Sequence, residues 1–394
     1  MDIFDLLASA KAWKASDLHL SVDCAPLIRV GGELMRLANT GRLTVTDMEM
    51  AFMQVVTMEK LEKFQKELEL DFQYIMPDGT CLRCSAAQER GQLSLAFRIL
   101  PAIVPTIDEL QLPEKCKQLA QLEKGLIVVS GPTGSGKTTT QAAIVQYIND
   151  HQTRHILSIE DPIEYCHHNI NSKIIQRELG GDTLSFDQAL KHALRHDPDV
   201  IVVGEMRDSE TAAAVILLAE TGHLVISTGH APNAAQAVER IVDLFPYKER
   251  YLVQARLASL LSAVLCQILV PRADGSGRIA AVEIMLPNTA IRNLIREGKL
   301  TLITEAIRDY GQGANTTLDA SLWKLWRQGI ISLETVKKYC QNAAEIERLT
   351  SELMGRMKSL VDDNQREKTP PNERKDKHSR FISNITHNFR YNND

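Results

Sequence analysis

The chain has 394 residues, 44% hydrophobic and 24% charged, with a net charge of −5. That length accommodates two or three domains of globular composition, and the acidic balance counts against nucleic acid as the main partner. No apolar run approaches the ~18 residues of a membrane span. The start lacks the basic region of a signal peptide, so a cytoplasmic protein is expected.

Residues 1–99 read as a small α+β unit. An amphipathic helix opens it (Ile3, Leu6, Leu7, Ala10), followed by strand-like segments at 18–20 and 27–30 and a helical stretch over about 46–67. Strands follow at 71–75, 80–86 and 93–99, with Pro77, Asp78 and Gly79 as a hairpin turn. Seven scattered cysteines do not form a secreted disulfide framework. Cys81 and Cys84 have the spacing of half a zinc knuckle or a redox motif, but a structural zinc site needs four ligands and no second such pair supplies them. In strand-like sequence a separation of three points two side chains to opposite faces, so both are expected to be packing cysteines.

Pro101 and Pro105 mark residues 100–112 as a linker, because each proline disfavours helix before it. A second domain is expected over 113–345. Its strands are short continuous apolar runs at 126–129, 156–159, 200–203 and 224–226, alternating with helices. That pattern predicts an α/β fold with a mostly parallel sheet covered on both faces. From 333 to 361 apolar positions recur in three- and four-residue steps, which predicts an amphipathic helix. The last part, 346–394, is the end of that helix and a polar tail expected to be disordered.

Residues 131–138 (GPTGSGKT) follow the 126–129 strand and lead into a helix, the context a P-loop requires. Gly131, Pro132, Thr133, Gly134, Ser135 and Gly136 let backbone N–H groups close around phosphate oxygens. Lys137 adds a charge at the β/γ positions, the Thr138 hydroxyl can ligate Mg²⁺, and Thr139 completes the loop. The chain therefore binds a nucleoside triphosphate, with ATP and Mg²⁺ expected.

Ligands of open parallel sheets gather beyond the carboxyl ends of the strands. Beyond 156–159 lies Glu164, beyond 200–203 lies Glu205, and beyond 224–226 lies His230. Triphosphate hydrolysis needs a carboxylate to orient water and a metal near the β/γ oxygens, tasks for which Glu164 and Glu205 are the candidates. His230 and His223 are candidate γ-phosphate partners, with a packed turn as the alternative for His223.

The order of these motifs resembles the secretion-ATPase superfamily, and within it the PilT family of type IV pilus retraction motors. The resemblance rests on residues 15–20 (ASDLHL), the P-loop, an Asp box at 159–164 (IEDPIE), a Walker B-type 203–208 (VGEMRD) and a His box at 220–223 and His230. Residues 290–297 (AIRNLIRE) look like the segment characteristic of the retraction ATPases. One departure is Gly229 before His230, with Pro232 after it, where the family has Thr-Leu-His. The tetracysteine zinc element of the assembly branch is missing.

The resemblance implies a homohexameric ring whose subunits pair a PAS-like domain with a RecA-like ATPase domain. It implies Glu164 as the general base or water-positioning residue and Glu205, with Thr138, at Mg²⁺. Arg83 and Arg98 would bring positive charge from the N-terminal domain. It also implies an inner-membrane pilus platform protein and a paralogous retraction ATPase as partners, no nucleic acid, and peripheral attachment at the cytoplasmic face of the inner membrane. The alternatives are an accessory retraction protein, an ATPase of a secretion or conjugation system, or a nucleotide-binding scaffold without turnover. Lys137, Glu164 and Glu205 together count against the scaffold. Finally, Arg292 and Arg296 are a like-charge pair one turn apart, costing about 0.2–0.5 kcal/mol, which points to an acidic partner surface.

Overall fold

A computed structural model describes residues 2–101, 103–309, 315–344 and 346–351, which form two units. The first unit comprises Met1–Val104 together with Asp161–His168 and Gln176–Leu184. Helix α1 (Ile3–Ala12) is capped by the Asp2 carboxylate, which accepts from the Phe4 amide, and it buries Ile3, Leu6, Leu7 and Ala10. Strands β1 (Asp17–Ser21), β2 (Leu27–Val30) and β3 (Glu33–Arg36) precede two helices, α2 (Val45–Met53) and α3 (Met58–Glu67). The single helical stretch expected over 46–67 is split because Thr57 takes an extended backbone and its hydroxyl caps α3 afresh. Strands β4 (Glu69–Ile75), β5 (Cys81–Glu89) and β6 (Gln92–Ile99) complete a six-stranded sheet in the order β3-β2-β1-β6-β5-β4. Gly79, at φ +83°, turns the β4–β5 hairpin where a residue with a Cβ would be strained.

The expectation of two packing cysteines holds for one of them. Cys84 is buried in this unit's apolar core. Cys81, on the other face of β5, forms a disulfide with Cys166, 85 residues later. The spacing argument separated the two side chains correctly; it could not see a partner supplied by a distant segment.

The second unit comprises Pro105–Glu160, Asn169–Ile175 and the chain from Ser185 onward. Its elements are α4 (Lys115–Ala120), β7 (Gly125–Ser130), α5 (Lys137–His151), β8 (His155–Glu160), the first half of β9 (Lys173–Glu178, of which Gln176 onward belongs to the first unit), α6 (Phe186–Ala193), β10 (Val200–Val203), α7 (Ser209–Glu220) and β11 (Leu224–Gly229). They continue with α8 (Ala234–Asp243), α9 (Tyr247–Leu260), β12 (Leu261–Pro271), β13 (Arg278–Met285), α10 (Thr289–Arg296), α11 (Ile303–Asp309), α12 (Leu318–Arg327) and α13 (Leu333–Tyr339). The sheet order is β13-β12-β7-β11-β10-β8-β9. Neighbours from β12 to β8 run parallel, and β13 is antiparallel to β12. The expected strands are all present, and their continuous apolar runs have the expected cause. Leu126 and Val128 pack with Leu157, Ile201 and Val225 on one face, while Ile127 and Val129 pack with Val200, Val202, Leu224 and Ile226 on the other.

One reading of the C-terminal part is corrected. The helix expected to run from 333 stops at Tyr339, because the Asp319 carboxylate holds the amides of Gln341 and Asn342 at 2.7 and 2.9 Å. Helix resumes at 343–344 and 346–351; its expected continuation to 361 and the polar tail lie outside the described residues. Within the chain, the Arg292 guanidinium donates to the carbonyls of Ala258 and Ser259 at the end of α9. Arg296 bonds Asn293 on its own helix. Among the described residues no helix is long and apolar enough to cross a membrane.

Candidate active site

Ser130 ends β7 and the glycine loop opens α5. Gly131 sits at φ +146°, where an added Cβ would lie 2.3 Å from the Gln267 carbonyl and 2.6 Å from the Ser135 hydroxyl. Gly136, at φ +86°, is the last residue before the helix. These positions require glycine, and they aim the free N–H groups of α5 into the loop. The Ser135 hydroxyl is buried and has no hydrogen-bond partner among the described residues. β12 supports the loop from beneath, since Gln267 Nε2 donates to the Ser135 carbonyl at 2.7 Å. Pro132, Thr133 and Gly134 form the exposed crest, while Thr138 and Thr139 are half-buried in the first turn of α5.

Lys137 is buried, and its Nζ donates to the carbonyls of Gly131 and Pro132 at 3.0 and 3.1 Å. The same nitrogen lies 3.4 Å from His230 Nδ1. An ammonium has no lone pair, so it donates and Nδ1 accepts, which assigns the ring proton to Nε2. Nε2 then donates to Glu205 Oε1 at 3.0 Å, and Arg207 Nε reaches Glu205 Oε2 at 2.9 Å. A continuous polar chain thus runs Lys137–His230–Glu205–Arg207. Gly229 and Pro232 flank His230 without displacing it from this chain. Arg240 Nη1 donates to the His230 carbonyl at 3.0 Å, and a cavity of about 120 Å³ opens beside Glu205, Arg207, His230 and Arg240.

Glu164, Arg83 and Arg98 belong to the first unit. Glu164 is exposed on the Asp161–His168 segment, which packs with the first unit. Arg83 and Arg98 face each other across β5 and β6, both exposed. Arg98 Nε donates to Asp17 at 3.0 Å. Burial pushes the Asp17 carboxyl up, but hydrogen bonds from Ser16 and Arg98 outweigh it and hold the group below its usual value. His223 sits at the opposite end of β11 from His230, roughly 23 Å away at about 3.3 Å per residue. It bonds the Leu218 carbonyl there at 3.0 Å, so of its two readings the packed turn is the one observed. Asp208, at the end of the Walker B-type segment, caps α7 by accepting from the Thr211 amide at 2.7 Å.

Sequence reasoning missed Arg207, Arg240 and Gln267 as neighbours of these groups. It also missed Gln141, whose buried amide reaches the carbonyls of Val203, at the end of β10, and Ile226, within β11. A usable signal existed for Gln267: an amide side chain in the middle of the apolar run 263–270 of β12.

A parallel sheet with a glycine loop at its carboxyl edge, a buried lysine inside that loop and an acid–imidazole pair beside it defines a P-loop nucleotide-binding protein. The family model described as type II/IV secretion system protein matches residues 102–338. The chain belongs to that family. It is 42% identical over 320 residues to the twitching motility protein of Neisseria gonorrhoeae, covering 81% of this chain and 85% of that one. It is 41% identical over 338 residues to the type IV pilus retraction ATPase PilT of Pseudomonas aeruginosa, covering 86% and 98%. Its structure is similar to that of the pilus retraction motor PilT with bound ADP, with a TM-score of 0.82 at 40% identity, covering 88% of this chain and 99% of that one.

Proposed function

We propose that this chain is the ATP-hydrolysing subunit of a homohexameric motor that retracts type IV pili. One observation carries the reading. The Lys137–His230–Glu205–Arg207 chain is built on a P-loop in a protein that aligns with a pilus retraction ATPase over 98% of that relative's length.

Phosphoryl transfer to water is mainly a matter of positioning and of positive charge placed where negative charge develops. The loop from Gly131 to Thr139 cradles the phosphates of ATP. Lys137 exchanges the Gly131 and Pro132 carbonyls for β/γ oxygens, and the buried Ser135 hydroxyl gains a partner. Thr138 and Glu205 offer the hard oxygen donors that Mg²⁺ takes, and the bound ion supplies positive charge at the phosphate oxygens. Glu164 orients the attacking water, and Arg83 and Arg98 supply charge from the N-terminal unit. His230 senses the γ-phosphate through its link to Lys137 and Glu205. We keep residues 1–99 as a PAS-like module, 100–112 as linker, 113–345 as a RecA-like ATPase module and 346–394 as the C-terminal end. The motor works at the cytoplasmic face of the inner membrane, against the pilus platform protein.

Lys137→Ala and Glu205→Ala should each lower ATP turnover of the purified assembly by about a thousandfold or more. Turnover near the wild-type rate in either variant would refute the assigned roles. Deleting the gene in its host should leave surface pili in excess and abolish twitching; loss of pili altogether would point to assembly instead.

A further inference from the structure

Ser130 is the last residue of β7 and fully buried. Its hydroxyl donates to the Ala231 carbonyl at 3.0 Å and accepts from the Ala231 amide at 2.8 Å. One side chain thus satisfies both backbone groups of the residue that follows His230. Three residues further on, the Ala234 amide at the start of α8 donates to Glu283 Oε1 at 2.7 Å. Glu283 lies on β13 and is 2% exposed, and its carboxylate also accepts from the Leu318 amide at the start of α12. Ser130, Cys266 and Glu283 are direct register partners across β7, β12 and β13. They form one row on the sheet face beneath the loop that carries His230.

A carboxylate and a hydroxyl buried in such a row are costly unless hydrogen-bonded, and a larger apolar residue would fill the space more cheaply. Ser130 holds both backbone groups of Ala231, while Glu283 holds the Ala234 amide together with that of Leu318; a negative charge suits the amino end of α8. The segment 231–234 follows directly on His230, whose Nε2 is held 3.0 Å from Glu205. We infer that Ser130 and Glu283 are positioning residues for hydrolysis, clamping the loop so that the His230 ring stays aligned between Lys137 and Glu205. Glu283 also ties that loop to the amino end of α12, so the C-terminal helices and the acid–imidazole pair share one anchor. The inference rests on the reading of His230 and Glu205 as working parts of the ATPase.

The test uses Ser130→Ala, Glu283→Gln, His230→Ala and the Ser130→Ala/His230→Ala double variant in the full chain, each checked for folding by circular dichroism. Glu283→Gln retains one carbonyl acceptor and serves if Ser130→Ala does not fold. Imidazole ¹⁵N spectra read the clamp directly. The wild-type His230 ring should show the Nε2–H tautomer, and the clamp variants should lose or broaden that signature. Turnover reads the function. Ser130→Ala should lower kcat about tenfold with little change in KM for ATP. The double variant should be no slower than His230→Ala alone, because Ser130 acts through that ring. An unchanged ring signal in a folded clamp variant, or losses that add in the double variant, would overturn the inference. If the ring signal changes as expected while His230→Ala hydrolyses ATP normally, the clamp stands and the assigned role of His230 falls.

Discussion

Asp78 shows how much a single pair can be read for. The Lys11 ammonium hydrogen-bonds its carboxylate, with further help from the Thr80 amide and hydroxyl, and holds its pKa at about 2 against a usual 3.8. A depressed carboxylate adds stability that is complete above 3.8 and disappears as pH falls through about 2. The urea midpoint of the wild type should therefore exceed that of Asp78→Asn by a constant margin above that window. The margin should shrink toward zero below it, and a gap persisting at the acid end would exclude the ion pair as its source. The turn itself was legible, because Pro77, Asp78 and Gly79 have turn chemistry; its partner on α1 was not, being 67 residues away. Glu205 is a similar case. Its place at a strand end followed from the apolar run before it, but its engagement by Arg207 and His230 depends on where two separate loops arrive.

Helix ends carry the clearest lessons among the elements. Arg292 seemed surplus on one face of α10, a like-charge neighbour of Arg296. In the fold its guanidinium satisfies the last carbonyls of α9, and burial, ahead of repulsion by Arg296, pulls its pKa down. Arg292→Ala should cost about 1–2 kcal/mol in urea unfolding, whereas Arg296→Ala, whose contact is local, should shift stability by less than about 0.5 kcal/mol. Equal effects would mean that the cap contributes nothing. Asp208 carries the same lesson within a motif. Asp208→Ala removes the α7 cap and should destabilise by about 1 kcal/mol while leaving kcat within a few-fold, measured in parallel with Glu205→Ala. The break after Tyr339 could not be read locally, because the apolar spacing continues through it. Asp319, on a different helix, captures the amides that would have carried the helix forward.

At the scale of the molecule, the segments Asp161–His168 and Gln176–Leu184 leave the middle of the chain to pack with the N-terminal unit. No composition shift marks them. The Cys81–Cys166 disulfide closes one of these excursions across 85 residues. Replacing both cysteines by serine should lower stability by up to about 4 kcal/mol in oxidising buffer and by little in strong reductant, followed by chemical denaturation in the two buffers. A loss of the same size in both would show that packing, and not the crosslink, is what the cysteines supply.

Read alone, the sequence determined the P-loop, the parallel strands, and the places of Glu205 and His230 just past two strand ends. Those features rest on short-range rules: apolar runs must be buried, tight phosphate loops need glycine, and groups just past a strand end lie at the sheet's rim. Tertiary structure decided the pairings: Ser130 with Ala231, Glu283 with two helix starts, Arg292 with α9, Asp319 with the break after Tyr339, and Cys81 with Cys166. Each joins groups separated by tens of residues, and a contact of that kind exists only after the chain has folded back on itself.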